Sequence, residues 1–435
     1  MRIRDISAGA FHGPALTIVV HGAGLGLGLV VNALLARWLS PVGYGIYGFA
    51  FGLVFVLSVP LHTGLATLVM RDAAQDIARH DHARLAGLVR GAPMFALVCS
   101  LVGALLLLLV VRLDPLGKLA PYAGAITMAT LLLPGLSLAA IVGAVLRGIG
   151  SPLLGQMPDA LLRPLLFSLT VATAWWFGVA ADSRIALALH AIAAAGAIVA
   201  GVVLVVRRLP KEVFLSRPDF AWRARLSALT PLSLLAGIQA VSSFVATASL
   251  GLSHPPDVVG TYRLAELGAG LAAMPLGAVS AYAAGGFARA HALGDQIRLQ
   301  HDVSQAARIS LAVVLPLTLG LFLIGPTIVR IAVGEAYLGA VAPMLILCVG
   351  QLAGALAGPA GAVATMCGHH RQSVAAVCVG LAVHVVLNIV LVPKFGSVGA
   401  AIAAAASVVT WSQWLRLRVR HLTGVETSPL HVGGR

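Results

Sequence analysis

Long apolar segments separated by short polar connections run through the whole chain. Residues 97–111 and 309–324, for example, contain no charged side chain. A helix that crosses a bilayer needs about 20 predominantly apolar residues. The pattern predicts an all-α, polytopic membrane protein with twelve membrane-spanning helices. They cover residues 14–36, 44–66, 92–112, 120–145, 160–180, 185–206, 229–251, 258–284, 309–332, 340–365, 373–392 and 398–415.

Basic residues are distributed unequally between the two sides of the predicted membrane. When the connections are assigned alternately, 21 of the 29 Lys and Arg residues fall on the side of the N-terminus and 6 on the other. The remaining two, Arg163 and Arg263, lie within spans. Basic residues near helix ends are retained in the cytoplasm. We therefore expect a multi-pass membrane protein with both termini cytoplasmic.

Composition agrees with this topology and excludes other classes. A mean hydropathy of +0.96, with 59% hydrophobic and 10% charged residues, is not that of a soluble domain. The net charge of +14 then reflects topology and contact with anionic membrane lipids, and no nucleic-acid partner is expected. The four cysteines form no C-x-x-C pair, so we expect them to be packed small residues. Neither a metal nor a cofactor is predicted.

The chain divides at its longest basic connection, residues 207–228. Six predicted spans precede it (residues 1–206) and six follow (229–417), with a cytoplasmic tail at 418–435. Local matches between the halves indicate an internal repeat. Gly45, Tyr47 and Ala50 recur at a shift of 215 residues, and a shift of 220 places Arg147-Gly148 on Cys367-Gly368. Transporters built from such repeats place their substrate path between them, so we expect a central cavity.

Polar residues within the first span form one candidate site. His21 and Asn32 lie on one helical face together with Leu25 and Gly28. Two interpretations remain open: a close helix–helix contact with hydrogen-bonded polar groups, or one wall of a polar cavity.

A second candidate lies in the eighth span, where Arg263 and Glu266 are three residues apart and share a face. A charge at this depth is costly unless it is paired or faces water. The two residues form either a structural ion pair or part of a cavity. In the cavity, Glu266 would be the partner of Arg263 or a protonatable coupling site.

Further cations near the predicted inner side provide a third candidate. Asp159 and Arg163 are four residues apart and can pair, while His62 and Arg71 share a helical face. With Arg147, these residues would give the cavity a cationic lining suited to a phosphate-bearing substrate. The alternative for Arg71 and Arg147 is anchoring at the lipid interface.

Three more polar residues within the spans, His190, His384 and Asn388, are expected to form interhelical hydrogen bonds. Enzyme signatures are missing, so no catalytic residue is predicted. The predicted outer connections are too short for the catalytic loop of a polysaccharide polymerase or glycosyltransferase.

Several short motifs, in this order and spacing, resemble those of one family. They are Leu35–Tyr47 (LARWLSPVGYGIY), Gly64–Arg71, Leu146–Gly150 followed by Pro158 and Pro164, Tyr262-Arg263, and Leu387–Ala403. The chain resembles the bacterial polysaccharide-biosynthesis flippases of the multidrug/oligosaccharidyl-lipid/polysaccharide superfamily, which export lipid-linked oligosaccharides.

The resemblance implies two six-helix lobes around a V-shaped cavity and an oligosaccharide substrate on an undecaprenyl pyrophosphate carrier. Basic cavity residues would hold the pyrophosphate. An H+ or Na+ gradient or the membrane potential would supply the energy for transport. Polysaccharide polymerases and glycosyltransferases would be partners. Related lipid II flippases carry arginines in the first span, whereas this chain has His21 and Asn32, which argues against lipid II. The alternatives are an ion-coupled multidrug or cation antiporter of the same superfamily and a membrane-embedded polymerase.

Overall fold

A computed structural model of the chain describes residues 12–220 and 222–429. It does not describe the side chains of residues 12–19, 21, 222–224, 227, 228, 230–232 and 235. The described residues form helices and contain no strand, as the hydropathy pattern predicts. Helices of at least 13 residues are numbered here in chain order. They are α1 (His12–Val59), α2 (Ala66–Ala78), α3 (His82–Arg112), α4 (Leu132–Gly148), α5 (Arg163–Trp176), α6 (Ser183–Arg208), α7 (Trp222–Ser253), α8 (Pro256–Ala292), α9 (Gln296–Ala332), α10 (Val341–Ala357) and α11 (His370–Thr423).

The prediction of twelve spans is confirmed once two breaks inside long helices are recognised. Within the described part of the chain, nine helical stretches are long and apolar enough to cross a membrane. Two of these stretches are interrupted, one at Ser40 (φ 60°) and one at Gly396 (φ 54°), where the backbone leaves the helical conformation. The helical stretch over residues 152–176 completes the set. The protein is therefore a multi-pass membrane protein.

The inner connections between the predicted spans at residues 71–91 and 289–308 are mostly helical. The helix before the first connection continues to Ala78 and the next begins at His82. Likewise, α8 continues to Ala292 and α9 begins at Gln296. Hydropathy marks only the part of a helix that lies in hydrocarbon. Polar residues such as Arg and Gln extend the same helix because they are good helix formers.

The two resulting turns have the same construction. His80 and Gly294 adopt positive φ angles (55° and 67°) after the preceding helix ends. Asp81 and Asp295 are the N-caps of α3 and α9. The Asp81 carboxylate accepts a hydrogen bond from the Arg84 N–H at 3.0 Å, and the Asp295 carboxylate accepts one from the Arg298 N–H at 2.9 Å. Equivalent positions differ by 214 residues, which supports an internal repeat.

A second pair of turns corrects the register proposed for the repeat. After α4, Gly150 has φ 86° and the Ser151 N–H bonds to Leu146 O. In the second half, Gly368 has φ 82° and the His369 N–H bonds to the carbonyl oxygen five residues earlier. The glycine in the left-handed conformation fixes the equivalence of such turns. The shift here is therefore 218, and the proposed shift of 220 is wrong.

The chain forms two compact units, Met1–Val241 and Ser242–Arg435, and their boundary falls within α7. Each unit has its own apolar core. In the first unit the core includes Leu65, Leu85 and Leu146, and in the second it includes Phe287 and Val303.

The connection after α6 is packed against the first unit. Leu209 and Val213 are buried in its core. The Asp219 N–H donates to Ala83 O at 3.0 Å, and a side chain at Gly87 would overlap the Asp219 carbonyl. The basic connection is thus attached to the start of α3.

The segment after α11, residues 424–429, is packed in a similar way against the second unit. The side-chain amide of Gln300 in α9 forms two hydrogen bonds with the backbone of Glu426, each 2.8 Å long: its Nε2 donates to the Glu426 carbonyl, and its Oε1 accepts from the Glu426 N–H. The Glu426 carboxylate accepts from Arg416 at 2.6 Å, and the Thr427 hydroxyl donates to Ala357 O at 2.6 Å. This segment is therefore an ordered part of the unit.

Candidate functional site

The first unit contains a cavity of about 260 Å³ whose polar lining brings together three of the predicted residues. His62, Arg147 and Asp159 line it with Gln156, and the remaining wall consists of alanines and glycines. The three lie far apart in sequence, and the fold of one unit places them around one space.

Two of these residues stand on segments of widened helix. His62 lies in a π-helical segment, Pro60–Leu65, and Asp159 lies in another, Met157–Leu162. Such segments are rare and occur frequently at functional sites. The Ser233 hydroxyl donates to the Pro60 carbonyl at 3.1 Å. His62 and Asp159 are therefore both presented to the cavity from irregular helical turns.

Close backbone contact positions the other two polar residues. A side chain at Gly143 in α4 would overlap the Gly155 carbonyl, and one at Gly155 would be about as close to the Gly143 carbonyl. Only glycine at these two positions permits this approach. It brings Arg147, at the end of α4, beside Gln156 on the short helix Pro152–Gln156.

A chain of polar contacts leads from the cavity into the core. Arg163 Nε donates to Asp159 Oδ1 at 2.8 Å, which confirms the predicted pair, and His62 Nε2 lies 3.7 Å from the second carboxylate oxygen. Arg163 Nη1 donates to His190 Nε2 at 3.0 Å. A guanidinium has no acceptor, so His190 Nε2 is unprotonated and the ring is neutral. Its Nδ1 then carries the proton and donates to Tyr47 Oη at 2.9 Å.

The expectation that His190 forms interhelical hydrogen bonds is therefore confirmed. Its ring also stacks on Phe167, with centroids 4.2 Å apart and planes 11° from parallel. Because His190 is buried and held on both nitrogens, it fixes the orientation of Arg163 and, through it, of Asp159.

Arg147 differs from the other charged residues of the cavity. Among the described residues it has no carboxylate within 4 Å, and its buried Nε has no hydrogen-bond partner. The charge of Asp159 is matched by Arg163. Arg147 thus supplies, at a cavity wall, a positive charge that no described carboxylate within 4 Å pairs with and an Nε–H donor without a partner, which is the chemistry that binds an anion.

Other predicted residues do not line this cavity. Asn32 donates to Gly28 O and accepts from the Tyr44 hydroxyl, both at 2.8 Å, so it joins the two arms of α1 across the break at Ser40. Arg71 is exposed and pairs with Asp72 at 2.9 Å. The side chain of His21 lies outside the described residues.

The close helix contact considered for the first span occurs at a different glycine. A side chain at Gly24 would overlap the Ala160 carbonyl, whereas one at Gly28 would meet nothing within 4 Å. The first span therefore packs directly on the π-helical segment that carries Asp159.

Arg263 and Glu266 belong to the second unit, on α8. Both are half-buried, and within the described residues they form no ion pair within 4 Å. The buried Nε of Arg263 has no hydrogen-bond partner. The polar pair on α11 is also buried: Asn388 donates to the His384 carbonyl of its own helix at 2.8 Å.

Sequence reasoning overlooked Gln156 and the role of Tyr47 in this site. Gln156 stands three residues before Asp159, a spacing that places both on one helical face. Tyr47 was recognised only as a residue of the repeat and of the first family motif. Its contact with His190 joins residues 143 positions apart, a separation that no local pattern reveals.

Solved structures with the same fold are transporters. The chain has a TM-score of 0.74 and 13% identity with a structure described as "Lipid II flippase MurJ, inward closed conformation", covering 93% of this chain and 87% of that one. A second structure is that of a multidrug resistance MATE family transporter of the MOP superfamily in an inward-facing conformation. The TM-score is 0.73 and the sequence identity 14%, and the match covers 94% of this chain and 99% of that one. For a MOP superfamily transporter from Pyrococcus furiosus, the TM-score is 0.63 and the sequence identity 15%, and the match covers 94% of each chain.

No protein-family model matches the sequence, and no curated protein matches it significantly. At these identities the structural likeness establishes the fold. The chain therefore has the twelve-helix fold found in transporters of the MOP superfamily.

Proposed function

We propose that the protein is a flippase that moves an undecaprenyl-pyrophosphate-linked oligosaccharide repeat unit across the inner membrane for surface polysaccharide synthesis. The observation that supports this most directly is the position of Arg147, which lies at the wall of the cavity in the first unit and forms no ion pair within 4 Å among the described residues. The shared fold with a structure described as a lipid II flippase is consistent with a lipid-linked substrate.

The cavity suits the pyrophosphate group in particular. A guanidinium presents N–H donors in a planar fork that matches two phosphate oxygens. The Gln156 amide and the imidazole of His62 also line the cavity and can add donors. A volume of about 260 Å³ holds a pyrophosphate but no oligosaccharide, so the sugars and the isoprenoid chain would lie outside it.

Asp159 would otherwise repel a phosphate, but its position limits this repulsion. The salt bridge to Arg163 at 2.8 Å and the proximity of His62 compensate its charge. We propose that this arrangement keeps the cavity cationic while the polar chain to Tyr47 holds its geometry. Transport would proceed by alternating access without nucleotide hydrolysis, driven by H+, Na+ or the membrane potential.

The proposal is tested by replacing Arg147 in a strain that depends on this protein for its surface polysaccharide. Arg147→Gln should reduce export about tenfold or more, since a hydrogen bond between charged groups contributes about 1.5–3 kcal/mol. Arg147→Lys should give an intermediate value because it keeps the charge and loses the fork. Export is measured as surface polysaccharide and as lipid-linked oligosaccharide retained on the cytoplasmic leaflet.

Arg79→Gln is the matched control, since Arg79 is an exposed arginine of the same unit outside the cavity. It should export like wild type. Normal export by Arg147→Gln at wild-type abundance would contradict the proposal.

An ion-coupled multidrug or cation antiporter is the second candidate. Glu266, half-buried and without an ion pair within 4 Å among the described residues, favours it because such a carboxylate can bind a proton or a cation. The two functions differ in the phenotype of a deletion strain. Retained lipid-linked oligosaccharide supports the flippase, whereas increased sensitivity to cationic drugs with normal polysaccharide supports the antiporter.

A further inference from the structure

The first part of the connection after α6, residues 207–217, forms a surface that the proposed transport function does not use. We call it the 207–217 surface. Its exposed side chains are mainly of two kinds, basic and apolar. The basic ones are Arg207, Arg208, Lys211 and Arg217, and the large apolar ones are Phe214 and Leu215.

The surface has an excess of positive charge. Its sequence contains four cations and a single carboxylate, Glu212. Among the described residues, none of these four cations has a carboxylate within 4 Å, and other arginines hold the ion pairs of the first unit. A group of exposed cations without counterions on the protein favours an anionic partner.

The apolar side chains indicate that this partner is not a purely aqueous one. Leu215 is 86% exposed and Phe214 is 43% exposed, although Leu209 and Val213 of the same segment are buried in the core. Keeping such side chains in water forfeits the favourable free energy of transfer to an apolar medium. Lys211 and Leu215 are four residues apart on the short helix Lys211–Leu215 and share a face. A cation beside an exposed leucine suits the headgroup region of a bilayer, which is charged outside and apolar inside.

The backbone of the surface is fixed before any partner binds. Leu209 and Val213 hold it in the core of the first unit. Arg90 Nη2 of α3 donates to the Phe214 carbonyl at 2.7 Å, and the Ser216 hydroxyl donates to the Glu212 carbonyl at 2.7 Å. A preformed backbone lowers the entropic cost of binding.

Two helices of the first unit place this surface at the edge of the hydrocarbon. α6 has 26 residues, about 39 Å at 1.5 Å per residue, whereas the hydrocarbon core is about 30 Å thick. Its apolar part ends at Val206, so Arg207 and Arg208 lie where the headgroups begin. On α3, Arg90 directly precedes the apolar part of the helix, and this arginine contacts Phe214. Both helices therefore assign the surface to the same boundary.

From these observations we infer that the 207–217 surface binds headgroups of anionic phospholipids in the adjacent leaflet, which is the cytoplasmic one in the predicted topology. The four cations pair with lipid phosphates, while Phe214 and Leu215 insert among the first carbons of the acyl chains. Anionic lipids of this leaflet attract basic residues that directly follow a spanning helix. The site is separate from the cavity around Arg147, since the two share no residue.

The depth of Leu215 is tested with a nitroxide attached to Leu215→Cys, in full-length protein whose four native cysteines are replaced by alanine. The protein is reconstituted into bilayers of phosphatidylglycerol and phosphatidylcholine. Accessibility of the nitroxide to oxygen, which concentrates in hydrocarbon, is compared with accessibility to a water-soluble nickel complex. Leu293→Cys is the matched control, because Leu293 is 76% exposed in the turn between α8 and α9, beyond the apolar part of both helices. Oxygen should dominate at position 215 and nickel at position 293.

The charges are tested by native mass spectrometry of the full-length protein in detergent, with phosphatidylglycerol and phosphatidylcholine as probes. Arg207→Gln combined with Arg208→Gln removes the two cations at the end of α6. Lys211→Gln combined with Arg217→Gln leaves that helix end, and hence membrane insertion, unchanged. Each double variant should bind phosphatidylglycerol about tenfold more weakly than wild type, because two basic contacts with headgroups are lost.

Arg79→Gln combined with Arg298→Gln is the matched control, since it removes the same charge from exposed positions elsewhere. It should bind phosphatidylglycerol like wild type. An equal loss in the control and the surface variants would overturn the inference, as would equal binding of the two lipids. A nitroxide at position 215 that is open to nickel would place this side chain in water, and one shielded from both reagents would place it against protein, such as a second copy of the chain. Either result would also overturn the inference, and since export is not measured, the flippase proposal would be unaffected.

Discussion

The contacts of Arg225 lead to a specific prediction about how the basic connection, residues 207–228, is held against the rest of the first unit. Its side chain is only 6% exposed, although it belongs to a segment rich in cations. Nε lies 3.4 Å from Asp72 and Nη2 lies 3.6 Å from Asp76. The guanidinium also donates to Phe220 O at 2.8 Å and to Arg84 O at 3.1 Å.

Arg225→Met would remove the cation and leave Asp76 without its ion pair and two carbonyl oxygens without their donor, whereas Asp72 would keep its pair with Arg71. Asp76 is the more affected carboxylate because its side chain is 6% exposed. Breaking a buried ion pair from one side typically costs about 3–5 kcal/mol, because the remaining charge stays buried without compensation. We expect the free energy of unfolding to fall by about that amount.

A second variant separates the charge effect from simple loss of packing. In Arg225→Met combined with Asp72→Asn and Asp76→Asn, no buried charge remains, so part of the lost stability should return. Arg217→Met is the control, since Arg217 is exposed in the same connection and its loss should change stability by less than about 0.5 kcal/mol.

Unfolding is measured in mixed detergent micelles by tryptophan fluorescence, with trypsin cleavage in the connection as a second readout. Cleavage after Lys211 and Arg217 should be faster in Arg225→Met than in wild type. A stability of Arg225→Met equal to that of wild type would contradict this expectation, and so would a triple variant less stable than the single one.

Two further predictions concern carboxylates of the second unit. Burial alone would raise the pKa of Glu426, but hydrogen bonds from Arg416 and the Ser428 N–H outweigh it and lower the pKa below its ordinary value of 4.5. Ionised Glu426 therefore stabilises the fold above about pH 4.5, and this contribution is lost as the pH falls through the folded pKa. Glu426→Gln should be less stable than wild type by about 1.5–3 kcal/mol at pH 7, and thermal unfolding from pH 7 to 4 should show the difference closing. If Glu266 couples transport to an ion, Glu266→Gln should abolish the dependence of export on pH or sodium, and an unchanged dependence would exclude that role.

The sequence was sufficient to predict the helices because the bilayer imposes a strong apolar requirement on each span. It could not predict where helices end outside the bilayer. The residues around Asp81 and Asp295 are polar whether they form a loop or a helix. Only the capping carboxylates and the positive φ angles at His80 and Gly294 mark these turns.

The candidate site was predictable only as far as local spacing reached. The Asp159–Arg163 pair follows from a separation of four residues on one helix. The meeting of His62 with Asp159, at 3.7 Å, depends on packing between helices nearly one hundred positions apart. Arg225 shows the opposite error. A cation in a basic segment was expected to report topology, whereas its side chain is buried in an ion-pair network.

The function proposed for this chain is to move a pyrophosphate-linked oligosaccharide across a bilayer with the help of Arg147. The most direct measurement reconstitutes the purified protein into liposomes with a fluorescent undecaprenyl-pyrophosphate oligosaccharide and follows its exposure to an impermeant quencher. We predict exchange of the probe between leaflets with wild type and Arg79→Gln, and at least tenfold slower exchange with Arg147→Gln. Exchange no faster than in protein-free liposomes, or equal rates for wild type and Arg147→Gln, would contradict the account.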